Sequence, residues 1–431
     1  MDVTSLKKSN SGEIAIGFDL TDTYSQVSYA LMDEDHVETF STVPGTFSYR
    51  IPTALLKRRE VNQWFAGKDA VKNKDFDGYY IDKLVSLAKK ETVKIGDEDF
   101  KPSALIALFM KRTLSLVSFS FPANKIVSFM VTVENLDENM VRVLSEAVAS
   151  LNLKTNNIFF QSHTESFYYY NIYQPGDLWK REVLLLDFSG ETLLSLRMEC
   201  NRNTTPIVAF IAEERFRNFY NANIEGLSAD TSDAYEADER LHEIVEKLTE
   251  GRLFSAIYFI GDAFNQEVFK ESVRLVCSKG RVFEGNNLYS KGAAFAAKNK
   301  VAASTLSLGH VFLGNEKLKS NIGINVIKRG QNAYMALLDG GINWFEAHKE
   351  CDIILDKGNK VSLVITPLTG KNPEVVDITL EDLPKRPPKT TRLNLRLNMT
   401  SVNSLEVTIT DLGFGELFKG SMTEWKEVIG V

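Results

Sequence analysis

The feature that most constrains this chain is a strand, an acidic turn and a second strand, written twice. In EIAIGFDLTDTYSQVSYAL an apolar run from Ile14 to Leu20 enters a polar turn, and an alternating run from Ser25 to Leu31 leaves it. A continuous apolar run is the pattern of a buried strand, and alternation with period two that of a strand with one covered face. The same order returns from Glu182 in EVLLLDFSGETLLSLRME, where Asp187 enters the turn. A hairpin of this kind can hold phosphate oxygens on backbone N–H groups while a carboxylate orients a magnesium ion. Two of them predict two lobes of similar build.

The segments around these turns alternate between helix and strand. After a strand at Tyr49 to Leu56, Ile81 to Lys90 and Ser103 to Phe119 have helical periodicity. Lys125 to Val133 reads as a strand and Asp137 to Leu151 as an amphipathic helix with Asp137 as its N-cap. A strand at Asn157 to Gln161 precedes an aromatic helix from Thr164 to Tyr173. Beyond the second turn, Thr204 to Ala212 continues the sheet, a helix spans Asp238 to Thr249, and a strand at Ser255 to Ile260 runs into Gly261 and Asp262. A helix from Asn265 to Val276 follows, and Gly292 to Ala297 forms a helix of small residues suited to close packing. This is the rhythm of α/β lobes. From about Ile322 short alternating strands separated by Gly-containing turns predict an all-β sandwich of roughly 100 residues. The expected organisation is a flexible tail (1–12), a first lobe (13–180), a reduced second lobe (181–318), the sandwich (319–417) and a C-terminal tail (418–431).

Composition bounds the partners. The 431 residues carry 50 basic and 57 acidic side chains, a net charge of -7, which argues against a nucleic-acid partner held by bulk electrostatics and leaves room for a local basic patch. Cys200, Cys277 and Cys351 show no metal-ligand or disulfide spacing and read as free thiols of a reducing cytosol. The most apolar stretch, Ser103 to Val133, is interrupted by Lys111, Arg112 and Lys125, short of the roughly 20 uncharged residues a membrane helix needs. A cytoplasmic protein with neither nucleic-acid nor membrane partner is expected.

Two such turns, a later strand ending in glycine and a terminal β module resemble the DnaK-type, seventy-kilodalton heat-shock chaperones of the actin-like ATPase superfamily. Gly17 to Ser25 looks like the first phosphate loop and Asp187 to Thr192 like the second. Ala70 to Asn73 is similar to the segment bearing the catalytic lysine, here Lys72. YFIGDAFNQEVFKESV resembles the adenosine-binding segment, NLYSKGAAFAA the second connecting helix, and the terminal strands the substrate-binding sandwich. The resemblance implies a two-lobed actin-like ATPase fold with ribonuclease H-like lobes, followed by the sandwich. It further implies ATP or ADP with magnesium as cofactor. Thr21, Asp22, Thr23, Ser189, Gly190, Glu191, Thr192, Gly261 and Asp262 would line the nucleotide, Asp19 and Asp187 would hold the metal, and Lys72 would join them in catalysis.

The departures from that pattern point elsewhere. Thr21 and Asp22 replace a glycine and a threonine of the first loop, and Ser189 and Glu191 replace glycines of the second. A carboxylate beside phosphate at about 4 Å costs roughly 4 kcal/mol at an effective dielectric near 20. Ser162 stands where the water-orienting glutamate is expected, and His163 where a proline should follow. Only 74 positions separate Asp187 from Gly261, so most of a nucleotide-clamping subdomain is missing, and no helical lid follows the sandwich. The expected function is that of a degenerate pseudo-ATPase without cofactor. It would hold a protein or peptide through the sandwich, with Lys72, Asp19 and Asp187 as vestiges. The alternative is a divergent Mg-ATP-dependent chaperone ATPase using Asp22 or Glu191.

Overall fold

A computed structural model describes residues 12–431 except 44, 60, 76, 118–122, 190–191, 218, 220–227, 230 and 369–371. The expected tail at 1–12 therefore falls almost entirely outside the described residues, as do Gly190 and Glu191. The chain divides into two compact units, Met1–Phe312 and Leu313–Val431.

The first unit contains the repeat. Its first sheet is centred on β1 (Ile14–Asp19), with β2 (Tyr24–Leu31) and β3 (Val37–Thr39) antiparallel on one side. On the other side, β4 (Ile126–Val133) and β5 (Ile158–Ser162) run parallel to it. Helix α1 (Pro102–Val117) leads into β4, α2 (Glu138–Ala149) joins β4 to β5, and α3 (His163–Ile172) follows β5. Asp137 caps α2 by accepting from the Met140 N–H at 2.7 Å.

The second sheet has the same order. β6 (Glu182–Asp187) is flanked by antiparallel β7 (Leu193–Asn201) and β8 (Ile207–Phe216) and by parallel β9 (Phe254–Ile260) and β10 (Arg281–Gly285). Helix α4 (Ser232–Thr249) leads into β9, α5 (Lys270–Cys277) joins β9 to β10, and α6 (Leu288–Val301) follows β10. A short strand, β11 (His310–Phe312), pairs with β8 at the edge.

Alternation along the central strands assigns each sheet two covered faces. Phe18 meets Phe109 of α1 and Phe129 of β4 at ring separations of 6.5 and 6.2 Å. Leu184, Leu186 and Phe188 join a core with Ala234, Leu241 and Val245 of α4 and Val276 of α5. The opposite faces cover the last helices, and they do so crosswise. Helix α6 lies on the first sheet, where the small residues Ala15 of β1 and Ala30 of β2 share a cluster with Ala293 to Ala297. Helix α3 buries Phe167, Tyr168 and Ile172 against Val183 and Leu185 of the second sheet.

Glycine makes α6 pack closely on both the first sheet and α3. A Cβ at Gly17 would fall 2.3 Å from the Ala294 nitrogen of α6, and one at Gly292 of α6 would fall 1.9 Å from the Ser166 carbonyl oxygen of α3. The small-residue helix read from the sequence thus packs as expected. Two shorter readings change. The strand expected over 49–56 is broken into Ile51–Pro52 and Leu55–Arg58, and the helix expected over 81–90 is one turn, Leu84–Leu87.

The second unit has two antiparallel sheets. One has the order β13 (Gln331–Leu338), β12 (Ser320–Lys328), β15 (Lys360–Pro367), β16 (Glu374–Thr379). The other runs from β14 (His348–Leu355) through β17 (Thr391–Ser401) to β18 (Ser404–Phe414), which pairs with β19 (Phe418–Lys419) and β20 (Glu424–Gly430). Ile322, Ile324, Val361, Leu363 and Ile365 of one sheet and Leu393, Leu395, Leu397, Leu405 and Val407 of the other are buried, as alternation predicts. The expected tail at 418–431 is instead an edge of this sandwich, since β20 pairs with β18 from Thr410↔Glu424 to Ser404↔Gly430. Its sequence, EWKEVIG, buries only Ile429 and so lacks the apolar alternation that marks a covered strand.

Arg386, from the proline-containing connection, reaches the buried Asp411 of β18 through two bonds of 2.7 Å and also donates to the Lys419 carbonyl at 2.8 Å. Asp411 further accepts from the N–H groups of Gly413 and Ser421 at 3.0 and 2.9 Å. Burial alone would raise its carboxyl, but Arg386, Ser421 and Gly413 hold it well below the usual carboxylate range.

Candidate functional site

The two acidic turns meet through the first turns of α3 and α6. Asp19 ends β1 and Asp187 ends β6, each 6% exposed. Nε2 of His163, the first residue of α3, donates to Asp19 Oδ1 at 2.8 Å. The hydroxyl of Tyr289, in the first turn of α6, donates to Asp187 Oδ2 at 2.8 Å, while Asp187 Oδ1 accepts from the Ser189 N–H at 2.8 Å. The His163 and Tyr289 rings stack on each other at 4.0 Å and 12°. Each lobe therefore closes its own acidic turn with the start of its own last helix, and the two closing rings lie face to face.

Electrostatics follows from this geometry. Burial works against a charged His163, but the Asp19 carboxylate, with Glu134 and Asp187 farther off, more than offsets it and leaves the imidazole above its ordinary value. Burial raises the Asp187 carboxyl, opposed by its bonds from Ser189 and Tyr289 and by His163. The Tyr289 phenol is held well above its usual range by burial and by Asp187. An imidazole whose Nε2 is bound to a carboxylate does not offer that nitrogen as a general base.

The remaining predicted positions divide. Thr21 Oγ1 accepts from the Tyr24 N–H at 3.2 Å and donates to the Tyr24 carbonyl at 2.7 Å, closing its own turn, with Thr23 Oγ1 3.4 Å away. Both oxygens of Asp22 are engaged by Ser86, from its N–H at 2.8 Å and its hydroxyl at 2.5 Å. Thr192 is half-buried at the entry to β7.

Gly261 has φ +100°, and a Cβ there would fall 2.4 Å from Phe188 C and Ser189 N, so its freedom serves close approach to the second turn. Asp262 pairs with Arg50, whose guanidinium lies 5.7 Å over the Tyr24 ring. Lys72 is exposed at the end of a five-residue helix and, among the described residues, makes no hydrogen bond or ion pair to these groups. A cavity of about 240 Å³ lies away from the turns, lined by Ile14 and Ile16 at the far end of β1 together with Leu114 and Val117.

Several residues in this arrangement carry no sequence signal of their own. Glu134 pairs with Arg215 of β8, which also meets Glu213 at 2.7 Å. Asp238 is buried and accepts from the N–H groups of Glu271 and Ser272 at 2.9 and 3.0 Å, capping α5. Tyr289 had one available clue, since it begins the last helix of its lobe as His163 does.

Fold and site together define an α/β unit of two sheets with the same strand order, whose strand-end carboxylates Asp19 and Asp187 are paired within the protein, and a separate β-sandwich unit. The chain belongs to a family of unknown function, DUF5716, whose C-terminal region matches residues 36–315, and a domain of unknown function, DUF8552, matches residues 317–431. No curated protein matches it.

Proposed function

We propose that the first unit is a degenerate actin-like ATPase fold of DnaK-chaperone type, that its acidic turns no longer serve nucleotide, and that the protein acts as a scaffold holding a protein or peptide through its sandwich. The repeated sheet order with crossed last helices supports the fold assignment. The observation that carries the function is the pairing of both acidic turns inside the protein, Asp19 with His163 and Asp187 with Tyr289.

Magnesium and its waters need carboxylate oxygens free to face them. The internal partners of these carboxylates weigh against that role, since the His163 ring engages Oδ1 of Asp19 while Tyr289 and the Ser189 N–H engage both oxygens of Asp187. Ser86 engages both oxygens of Asp22, which weighs against the divergent-ATPase alternative as well.

Thermal unfolding with millimolar Mg-ATP and Mg-ADP tests the proposal. No shift is expected, whereas a ligand at about 100 times its Kd would stabilise by roughly 2.7 kcal/mol. A shift of that size, with phosphate release abolished by Asp19→Asn and Asp187→Asn, would establish the ATPase instead.

A further inference from the structure

One end of the sandwich differs from the rest of an acidic protein. The turns β12–β13, β14–β15, β16–β17 and β18–β20 all lie there, as the registers Lys328↔Gln331, Lys360↔Thr379, Leu355↔Thr391 and Thr410↔Glu424 require. Lys328, Arg329, Lys357, Lys385 and Lys419 are exposed on these four turns, and none joins an ion pair among the described residues. Exposed acids share the turns, Asp356 paired with Lys389 and Glu381, Asp382 and Glu416 without an ion pair among the same residues, so the unpaired basic residues exceed the acidic ones five to three. They surround an apolar tip. Phe414 and Leu417 in the β18–β19 hairpin are 44% and 87% exposed, and Met422 just beyond it is 64% exposed. Isolated exposed apolar residues are ordinary, but three within nine positions at the apex of a hairpin ask for a partner.

The tip is braced. Asp411 holds both ends of the hairpin through Gly413 and Ser421, and Arg386 ties the Lys385 turn to the Lys419 carbonyl. Leu417 is thus presented outward by a fixed frame, which lowers the ordering cost of using it.

We propose that this end docks on an anionic lipid surface, with Phe414, Leu417 and Met422 entering the headgroup boundary and the lysines of the four turns facing lipid phosphate. Charge complementarity requires an anionic partner. Shape selects the bilayer over an acidic protein. The apolar residues crown a convex apex rather than line a groove, and the basic residues sit on four separate turns that a broad, uniformly charged surface reaches together. The expectation of no membrane partner came from the want of a spanning segment, and no helix among the described residues is long and apolar enough to cross a membrane. Attachment at the surface needs none.

The test is co-sedimentation of the full-length protein with vesicles of phosphatidylcholine alone and with vesicles carrying about 30 mol % phosphatidylserine, at low and high salt. Binding is expected only to the anionic vesicles and weakened by salt. Leu417→Ser with Met422→Ser should weaken it about tenfold, and so should Lys385→Glu with Lys419→Glu. Lys328→Glu with Lys357→Glu, on the other sheet, gives a second charge test should the first pair perturb the hairpin. Equal binding to neutral vesicles, wild-type binding by these variants, or binding to polyglutamate without binding to vesicles would each overturn the proposal, the last by assigning the surface to an acidic protein.

Discussion

The two sheets of the first unit share an order of strands and differ in what they offer the helices packed on them. At equivalent points of the repeat, β1 reads Ala15, Gly17, Asp19 and β6 reads Val183, Leu185, Asp187. On the first sheet the row through Asp19 is polar throughout, Gln26, Asp19, Thr132 and Gln161 standing side by side on four strands, all buried. Through Asp187 the corresponding row is Leu194, Asp187, Ile260 and Gly285.

The first sheet reaches its helices by hydrogen bonds. Ser28 meets Ser290 of α6 at 2.8 Å, and Thr132 and Gln161 meet Ser166 of α3 at 2.7 and 2.6 Å. The second sheet reaches α3 by filling space. One topology therefore tolerates two kinds of adhesion, close backbone approach with small polar groups and ordinary apolar packing.

Exchanging the two kinds should break the unit. Gly17→Leu puts at the first sheet the residue that the second uses at the same point, and its first carbon alone already collides with α6. A loss above about 4 kcal/mol is expected, read as failure of a cooperative urea transition. The reverse change, Leu185→Ala, should cost about 2–5 kcal/mol by leaving a cavity against α3. A loss below about 1 kcal/mol would show that the two faces are interchangeable after all.

The carboxylates sharpen the contrast further. Asp19→Asn removes the carboxylate bound to a buried imidazole and should cost about 3 kcal/mol, while Asp187→Asn weakens a bond from a neutral phenol and should cost about 1 kcal/mol. Because Asp19 raises the folded-state value of His163, its contribution is complete below the unfolded value near 6.5 and is lost as pH rises through the folded value. Wild-type stability should fall with rising pH over that window, and Asp19→Asn should flatten the slope. Equal slopes in both proteins would assign the dependence to another group.

Much of this architecture is legible in the sequence where local pattern and tertiary role agree. The apolar runs ending in Asp19 and Asp187, the capping Asp137 and the small residues of α6 all carry a short-range signature. Legibility stops where a residue's role depends on a distant neighbour. Asp22 reads as a charge facing phosphate, yet Ser86, 64 positions away, holds it. Tyr289 reads as one aromatic in a helix, and only its place in the repeat, matched to His163, gives it meaning. The edge strand β20 is unreadable for a different reason. Lying at the margin with one buried side chain, it has no face to advertise.

The crossing of the last helices has a consequence for how the protein is made. Gly17 leaves the ribosome roughly 270 residues ahead of its neighbours Ser290 and Ala294, about 15–50 seconds at ordinary rates of synthesis. Throughout that interval the small polar face of the first sheet has nothing to lie on. Neither half of the unit is a finished object on its own, and the nascent chain must carry an uncovered surface until α6 has emerged, a span during which a guardian in the cell would find it open.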